Sequence, residues 1–129
     1  MKHVNPADLA KPRGFSHAVV AEGTVVALAG QIGWDVNAKL VSTEFAAQFR
    51  QALLNLVIAL EASGGGPEHL ISLRIYVTNK KQYLAATKEI GEHYRSIIGK
   101  FYPAMALVQV ADLLEDGALV EIEGMAVLP

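Results

Sequence analysis

The chain has 129 residues, of which 52% are hydrophobic and 19% charged, with a formal net charge of -2 and no cysteine. This length suffices for one domain, residues 1–129, with a core of its own. The absence of cysteine excludes disulfides, thiolate nucleophiles and cysteine metal sites, and the charge gives no electrostatic reason to expect a nucleic-acid or membrane partner. The N-terminus lacks the apolar segment of a signal peptide and no apolar stretch approaches the roughly 20 residues of a membrane span, so we expect a cytoplasmic protein.

Two strands joined by a tight turn are predicted near the N-terminus. Residues 16–21 and 24–31 are rich in apolar and β-branched side chains, and Glu22 and Gly23 separate them. Glycine adopts the positive φ angles of hairpin turns without steric cost, so this pattern predicts a β-hairpin. Residues 36–41 predict one further short strand.

A helix is predicted next. Ser42 or Thr43 supplies an oxygen to cap its N-terminus, and residues 64–67, Gly-Gly-Gly-Pro, end it. Apolar residues recur between these limits at the spacing of one helical face: Phe45, Phe49, Leu53, Leu56 and Leu60.

The second half of the chain predicts a strand at residues 70–78, a helix at 80–98, and strands at 104–110 and 118–127. One face of that helix carries Tyr83, Thr87, Ile90, Tyr94 and Ile97. The order ββ(β)αβαββ predicts an α+β fold, a mostly antiparallel sheet with two helices on one face.

Two of the predicted strands are apolar on both faces. In residues 24–31 and 104–110, both alternating sets of side chains are largely apolar. Two helices can cover only one face of a sheet, so we expect the other face to meet another subunit.

Four motifs, the last of them made of two segments, resemble the RidA/YjgF family. Residues 14–19 resemble its Tyr-Ser-(Gln/His)-Ala-Val segment, and residues 28–32 its Ser-Gly-Gln-Ile strand end. Residues 48–56 are similar to its helix with two glutamines and an asparagine. Residues 103–105 and 120–123 resemble its Pro-Ala-Arg and (Val/Ile)-Glu-Ile-Glu pair. The matches follow the family order over nearly the whole chain.

The resemblance implies a chorismate-mutase-like fold of the bacillary type and a homotrimer with a small-molecule pocket at each subunit interface. Active members of the family hydrolyse enamines and imines such as 2-aminoacrylate to a 2-keto acid and ammonia. Some relatives carry the label endoribonuclease or translation inhibitor.

Several positions that the resemblance implies to be substrate-binding have lost their polar groups. The arginine that holds the substrate carboxylate is Met105 here, and a thioether cannot replace its bidentate guanidinium. The family tyrosine is Phe15, the serine before Gly-Gln is Ala29, and a frequent pocket cysteine is Leu107. We therefore expect 2-aminoacrylate to be a poor substrate, and either a changed ligand class or a site that has lost its function.

Glu121 is the candidate catalytic residue, because the resemblance implies that it activates water or transfers a proton. We expect it to lie on the face of the sheet away from the helices, with Met105 and Leu107 pointing the same way and Phe15 beside them. Desolvation there suits a carboxylate to acid-base chemistry near neutral pH. An interface salt bridge, for example to Arg74, is the alternative role.

Four further polar side chains have competing interpretations. Arg74 is a candidate to bind a substrate anion, although an ion pair with Glu121 is the favoured interpretation. Gln31 is placed among the substrate-binding candidates, with hydrogen bonding to the backbone favoured. Glu89 and His93 are four residues apart on a helix, but no third ligand accompanies them, and we expect a solvated pair rather than a metal site.

Three functions remain open from the sequence. The first is a RidA-like hydrolase or binder of a small, neutral or hydrophobic imine-like compound, with no metal or organic cofactor. The second is a non-catalytic ligand-binding or interaction module. The third, nucleic-acid processing, ranks last, because the basic clusters lack a nearby aromatic platform.

Overall fold

The structure, a computed structural model, describes all 129 residues. It contains six strands and three α-helices, with a 3-10 turn at Pro67–His69. The strands are β1 Lys2–Val4, β2 Ala18–Val20, β3 Thr24–Ile32, β4 Leu70–Val77, β5 Ala104–Gln109 and β6 Val120–Leu128. The helices are α1 Phe45–Ala62, α2 Lys80–Ala85 and α3 Thr87–Ile97.

The main sheet has four strands in the order β3-β6-β4-β5. Only the β4–β5 pair is parallel, as expected for two strands joined by a helical crossover. The core lies between one face of this sheet and the helices; it contains Phe49, Leu53 and Leu56 of α1 and Ile90 and Tyr94 of α3. The predicted α+β class with its helices on one face is confirmed.

The predicted N-terminal hairpin is wrong. Strand β2 pairs with β1, with His3 opposite Val19, and β3 pairs only with β6. The apolar pattern identifies a strand but carries no information about its partner, and the short strand β1 was not predicted at all.

Three other predictions also fail locally. Residues 36–41 form a turn closed by one bridge between Trp34 and Leu40, with Ala38 at a positive φ of 59°. The predicted helix 80–98 is divided at Ala86, whose backbone leaves the helical region. The hydroxyl of Ser42 accepts a hydrogen bond from the Glu44 N–H before α1 begins, so it does not cap the helix.

Polar side chains of α1 fix the loops around the core. Gln48 is fully buried; its amide donates to the carbonyls of Ser42 and Gly117 at 2.9 and 3.0 Å, and its oxygen accepts from the Leu119 N–H at 2.8 Å. Asn55 donates to the carbonyl of Ile32, the last residue of β3, and to that of Trp34 just beyond it. These residues therefore have structural roles. None of the helices combines the length and apolar composition needed to cross a membrane.

Candidate functional site

A cleft of about 490 Å³ lies between α3, β5 and the segment before β2. We call it the α3–β5 cleft. Nine of its fourteen lining residues are hydrophobic, and none is acidic. Its volume lies in the range typical of small-molecule sites, which are mostly apolar with a few polar groups.

The segment before β2 is attached to the cleft through Ser16. The Ser16 N–H donates to the carbonyl of Pro103 at 3.0 Å, and its hydroxyl donates to the carbonyl of Tyr102 at 2.5 Å. Ser16 also bridges Ala104 at the edge of β5. Because Ser16 is buried and held through both its N–H and its hydroxyl, the preceding Phe15 is fixed in the cleft wall.

The helical wall contains four of the five residues of the face predicted for residues 80–98; Ile97 does not line the cleft. Tyr83, Thr87, Ile90 and Tyr94 line the cleft from α2 and α3. The Tyr94 hydroxyl donates to the Phe101 carbonyl at 2.5 Å, and its ring stacks on Tyr102 with centroids 5.7 Å apart. Burial raises the pKa of Tyr94 well above its ordinary value, so it stays neutral.

Met105 and Leu107 form the strand wall of the cleft. In the parallel β4–β5 pair, Met105 lies opposite Leu73 and Leu107 opposite Ile75. Residues in register share a face of the sheet, and Leu73 and Ile75 are buried under the helices. Both candidates therefore point toward the helices, half-buried against the core.

Glu121 lies on the opposite face of the sheet. It pairs in register with Tyr76, whereas its neighbours Val120 and Ile122 are fully buried on the helix side. The expectation that Glu121 lies beside Phe15, Met105 and Leu107 is therefore wrong within one chain. The error arose because the apolar faces of β5 could not be told apart from the sequence.

We call the face opposite the helices the outer face. Its central strands carry Ser72, Arg74, Tyr76, Glu121 and Glu123. The Tyr76 hydroxyl donates to a carboxylate oxygen of Glu123. This bond raises the pKa of Tyr76 above its ordinary value, with burial adding to the effect and the charge of Arg74 opposing it. Arg74 is exposed, and no carboxylate lies within 4.0 Å of it, so the favoured Arg74–Glu121 ion pair does not form within the chain.

Gln31 belongs neither to the lining of the α3–β5 cleft nor to the polar residues named on the outer face. Its amide donates to the Ala29 carbonyl at 3.4 Å, and its side chain borders a second groove with Trp34 and Asn55 beside α1. The side-chain bond to the backbone agrees with the favoured interpretation. Ala29 itself is exposed near the end of β3 and does not line the cleft. The structure thus brings Phe15, Met105 and Leu107 together in the cleft and Arg74 and Glu121 together on the outer face. Gln31 and Ala29 belong to neither set.

Two arginines of the cleft were missed by sequence reasoning. Arg13 and Arg95 both line it, although they are far apart in the chain. Arg95 directly follows Tyr94 of the predicted helix face, and this adjacency could have indicated that it lies near the cleft. Nothing in the sequence indicates that Arg13 lies in the same cleft. Glu89 and His93 form the expected helical pair, at 3.5 Å between Oε1 and Nε2.

The fold and cleft define a class of small α+β proteins with an apolar site between a mixed sheet and its helices. Residues 7–128 match the family described as endoribonuclease L-PSP, and the chain belongs to this family. It is 35% identical to the RutC family protein UK114 of Drosophila melanogaster over 97% of this chain and 88% of that protein. It is 30% identical to the 2-iminobutanoate/2-iminopropanoate deaminase of Dermatophagoides farinae over 92% of this chain and 89% of that one.

Solved structures of Rid family proteins have folds similar to that of this chain. A Rid family protein of unknown function, YyfB from Yersinia pestis, has a TM-score of 0.88 and 32% identity, with 98% of both chains covered. RidA from an Antarctic Psychrobacter has a TM-score of 0.70 and 31% identity, with 92% of both chains covered. The RidA/YjgF resemblance and the fold class are therefore confirmed.

Proposed function

We propose that this protein binds a small organic molecule in the α3–β5 cleft and hydrolyses its enamine or imine group to a carbonyl and ammonia. The observation that carries the proposal is the meeting of Phe15, Met105 and Leu107, three of the sequence candidates, in one apolar cleft of about 490 Å³. The relative from Dermatophagoides farinae is named for deamination of 2-iminobutanoate and 2-iminopropanoate, which supports this reaction class.

The acid-base group in this proposal comes from another copy of the chain. The cleft contains no carboxylate, histidine or cysteine of its own. Glu121, on the outer face, reaches a cleft only when that face lies against the cleft of a neighbouring subunit. There its carboxylate takes a proton from water as the oxygen bonds to the imine carbon, and returns that proton to the nitrogen. The carboxylate then passes the proton of the new hydroxyl group to the amine, which leaves as ammonia as the carbonyl forms.

The proposed assembly is a homotrimer with one cleft at each interface. The flanking strands of the outer face expose apolar groups, with Val25 60% exposed and Val108 47% exposed. Burial of such surface between subunits is favourable by roughly 25 cal/mol per Å². The polar groups between these strands, Glu121 among them, would then be enclosed by a neighbouring subunit.

The expected substrate is not 2-aminoacrylate. Met105 stands where the family arginine holds that carboxylate, and it lies half-buried in the cleft wall. A larger, more apolar imine fits the lining better.

A non-catalytic ligand-binding module is the second candidate. The observation in its favour is that one chain supplies the cleft with no acid-base side chain near neutral pH. Nucleic-acid processing, which the family description suggests, has the least support, because the net charge is -2.

Glu121→Gln tests the catalytic proposal. We expect the variant to remain a trimer by light scattering and to lose imine turnover by about a hundredfold or more. Turnover is measured as ammonia released from a panel of imines generated in situ by an amino acid oxidase. Glu123→Gln is the matched control, since that carboxylate lies on the same face but is bonded by Tyr76; it is expected to keep most of the activity.

The other results are equally informative. Undiminished turnover in Glu121→Gln refutes the role of Glu121. A parent protein that binds ligands in the cleft but hydrolyses no imine leaves the binding module. A stable monomer refutes the assembly.

A further inference from the structure

Two cationic side chains border the α3–β5 cleft. Arg13 and Arg95 are both exposed and both line it, and neither has a carboxylate within 4.0 Å in the chain. An unpaired guanidinium presents a planar set of donors that matches a carboxylate or phosphate. The cleft therefore has positive charge at its entrance that no side chain of the cleft neutralises.

Arg95 is positioned at the cleft by the surface of α3. Thr87, Gly91 and Arg95 follow one another at intervals of one helical turn, and all three line the cleft. A Cβ atom on Gly91 would lie 3.3 Å from Nη1 of Arg95, so the guanidinium lies against the helix at this glycine. This contact places the charge over the cleft wall.

Beyond the arginines the cleft is aromatic and apolar. Its lining includes the rings of Phe15, Tyr83, Tyr94 and Tyr102, together with Met105 and Leu107. The tyrosine Tyr94 is neutral, so the interior has no charge to receive an ionic group. A ligand that satisfies both regions has an apolar or aromatic body and a single anionic group at one end.

We propose that the natural ligand is an organic acid with a sizeable apolar or aromatic body, whose carboxylate is bound by Arg13 and Arg95. This proposal rests on the α3–β5 cleft being the ligand site, as in the proposed function. It differs from the expectation of a neutral or hydrophobic ligand, because Arg13 and Arg95 provide at the edge of the cleft the anion binding that Met105 cannot provide. Anion binding at that edge favours longer acids over three-carbon ones.

Three probes separate the two parts of this recognition. They are 3-phenylpropionate, its neutral analogue 3-phenylpropionamide, and propionate, which has the charge without the ring. Each is titrated into the assembled protein, and binding is followed by NMR shifts of the cleft residues. We expect the aromatic acid to bind about tenfold or more tightly than the amide, and propionate to bind too weakly to measure.

The matched variants are Arg13→Gln, Arg95→Gln and the double variant, with Arg50→Gln as the control. Arg50 is an exposed arginine of α1 outside the cleft. In the double variant we expect the affinity for 3-phenylpropionate to fall to that for the amide, and the affinity for the amide to stay unchanged. In the parent protein, a higher salt concentration is expected to weaken binding of the acid alone, because exposed charges are screened.

The outcomes distinguish this proposal from the proposed function. Equal binding of acid and amide in the parent, or an unchanged ratio in the double variant, overturns the anion site and leaves the cleft as a ligand site. If neither aromatic probe shifts the cleft residues, the cleft is not a ligand site and both proposals fail. Unchanged melting temperatures of the variants verify that any loss is local.

Discussion

The carboxylate of Glu121 lies directly over Gly30 on the outer face of the sheet. A Cβ atom at residue 30 would be 2.3 Å from Oε2 of Glu121 and 2.9 Å from its carboxyl carbon. The glycine thus leaves the space in which this carboxylate rests. The Gly-Gln pair that resembles the family's strand end has a physical use here: it determines where the carboxylate of β6 can lie.

Gly30→Ala is expected to displace the Glu121 carboxylate with little loss of folding stability, about 1 kcal/mol or less, because a flexible side chain moves more easily than backbone. Imine turnover should fall to the level of Glu121→Gln. Thermal unfolding and ammonia release measure the two effects. In a Glu121→Ala background the same change should have no further effect, and a large additional loss there would contradict the mechanism.

The Tyr76–Glu123 bond makes a prediction at alkaline pH. The bond to the carboxylate raises the pKa of Tyr76 in the folded protein above its unfolded value near 10. A raised folded pKa means that the bond stabilises the fold fully below about pH 10 and that this contribution is lost as pH rises through the folded pKa.

We therefore expect Tyr76→Phe to lower stability at pH 8 and to have a diminishing effect above pH 10. Phenolate absorbance should show Tyr76 and Tyr94 ionising at higher pH than an ordinary tyrosine. In Tyr76→Phe, only Tyr94 should remain with such a raised pKa. An identical titration of parent and variant would show that the bond is absent in solution.

Gln48→Ala is expected to be among the most damaging polar substitutions. Gln48 is fully buried and makes three hydrogen bonds, so its loss strands the Leu119 N–H and two carbonyl groups. We expect a loss of about 2–4 kcal/mol in urea unfolding. Gln51→Ala is the control: Gln51 is half-buried with one side-chain bond to Asn55, and about 1 kcal/mol or less is expected.

Turnover of 2-aminoacrylate should be weaker than that of an arginine-bearing relative by on the order of a hundredfold or more, because Met105 cannot bind the carboxylate. Met105→Arg should restore little of it, since Phe15 and Ala29 still lack the family's hydroxyl groups. A coupled keto acid assay on both proteins measures this. Parity between the parent and the relative would refute this account of Met105.

Much of the architecture could be predicted from local sequence. The apolar residues of α1 recur at helical spacing and end at three glycines, and burial of that face follows from the spacing alone. The apolar strands, the α+β class and the family resemblance follow from equally local patterns. The loss of polar groups at Phe15, Met105 and Leu107 is also evident from the amino-acid sequence by itself.

Strand partners and faces could not be predicted, because a strand that is apolar on both sides gives no indication of which side is inside. Only the parallel register of β5 on β4 places Met105 and Leu107 under the helices, and only the antiparallel register of β6 places Glu121 on the other side. The spacing of apolar side chains along the chain is enough to predict the buried face of a helix such as α1. The placement of Arg13 and Arg95 along one cleft, and the separation of Glu121 from it, depend on contacts between distant segments, which tertiary packing alone decides.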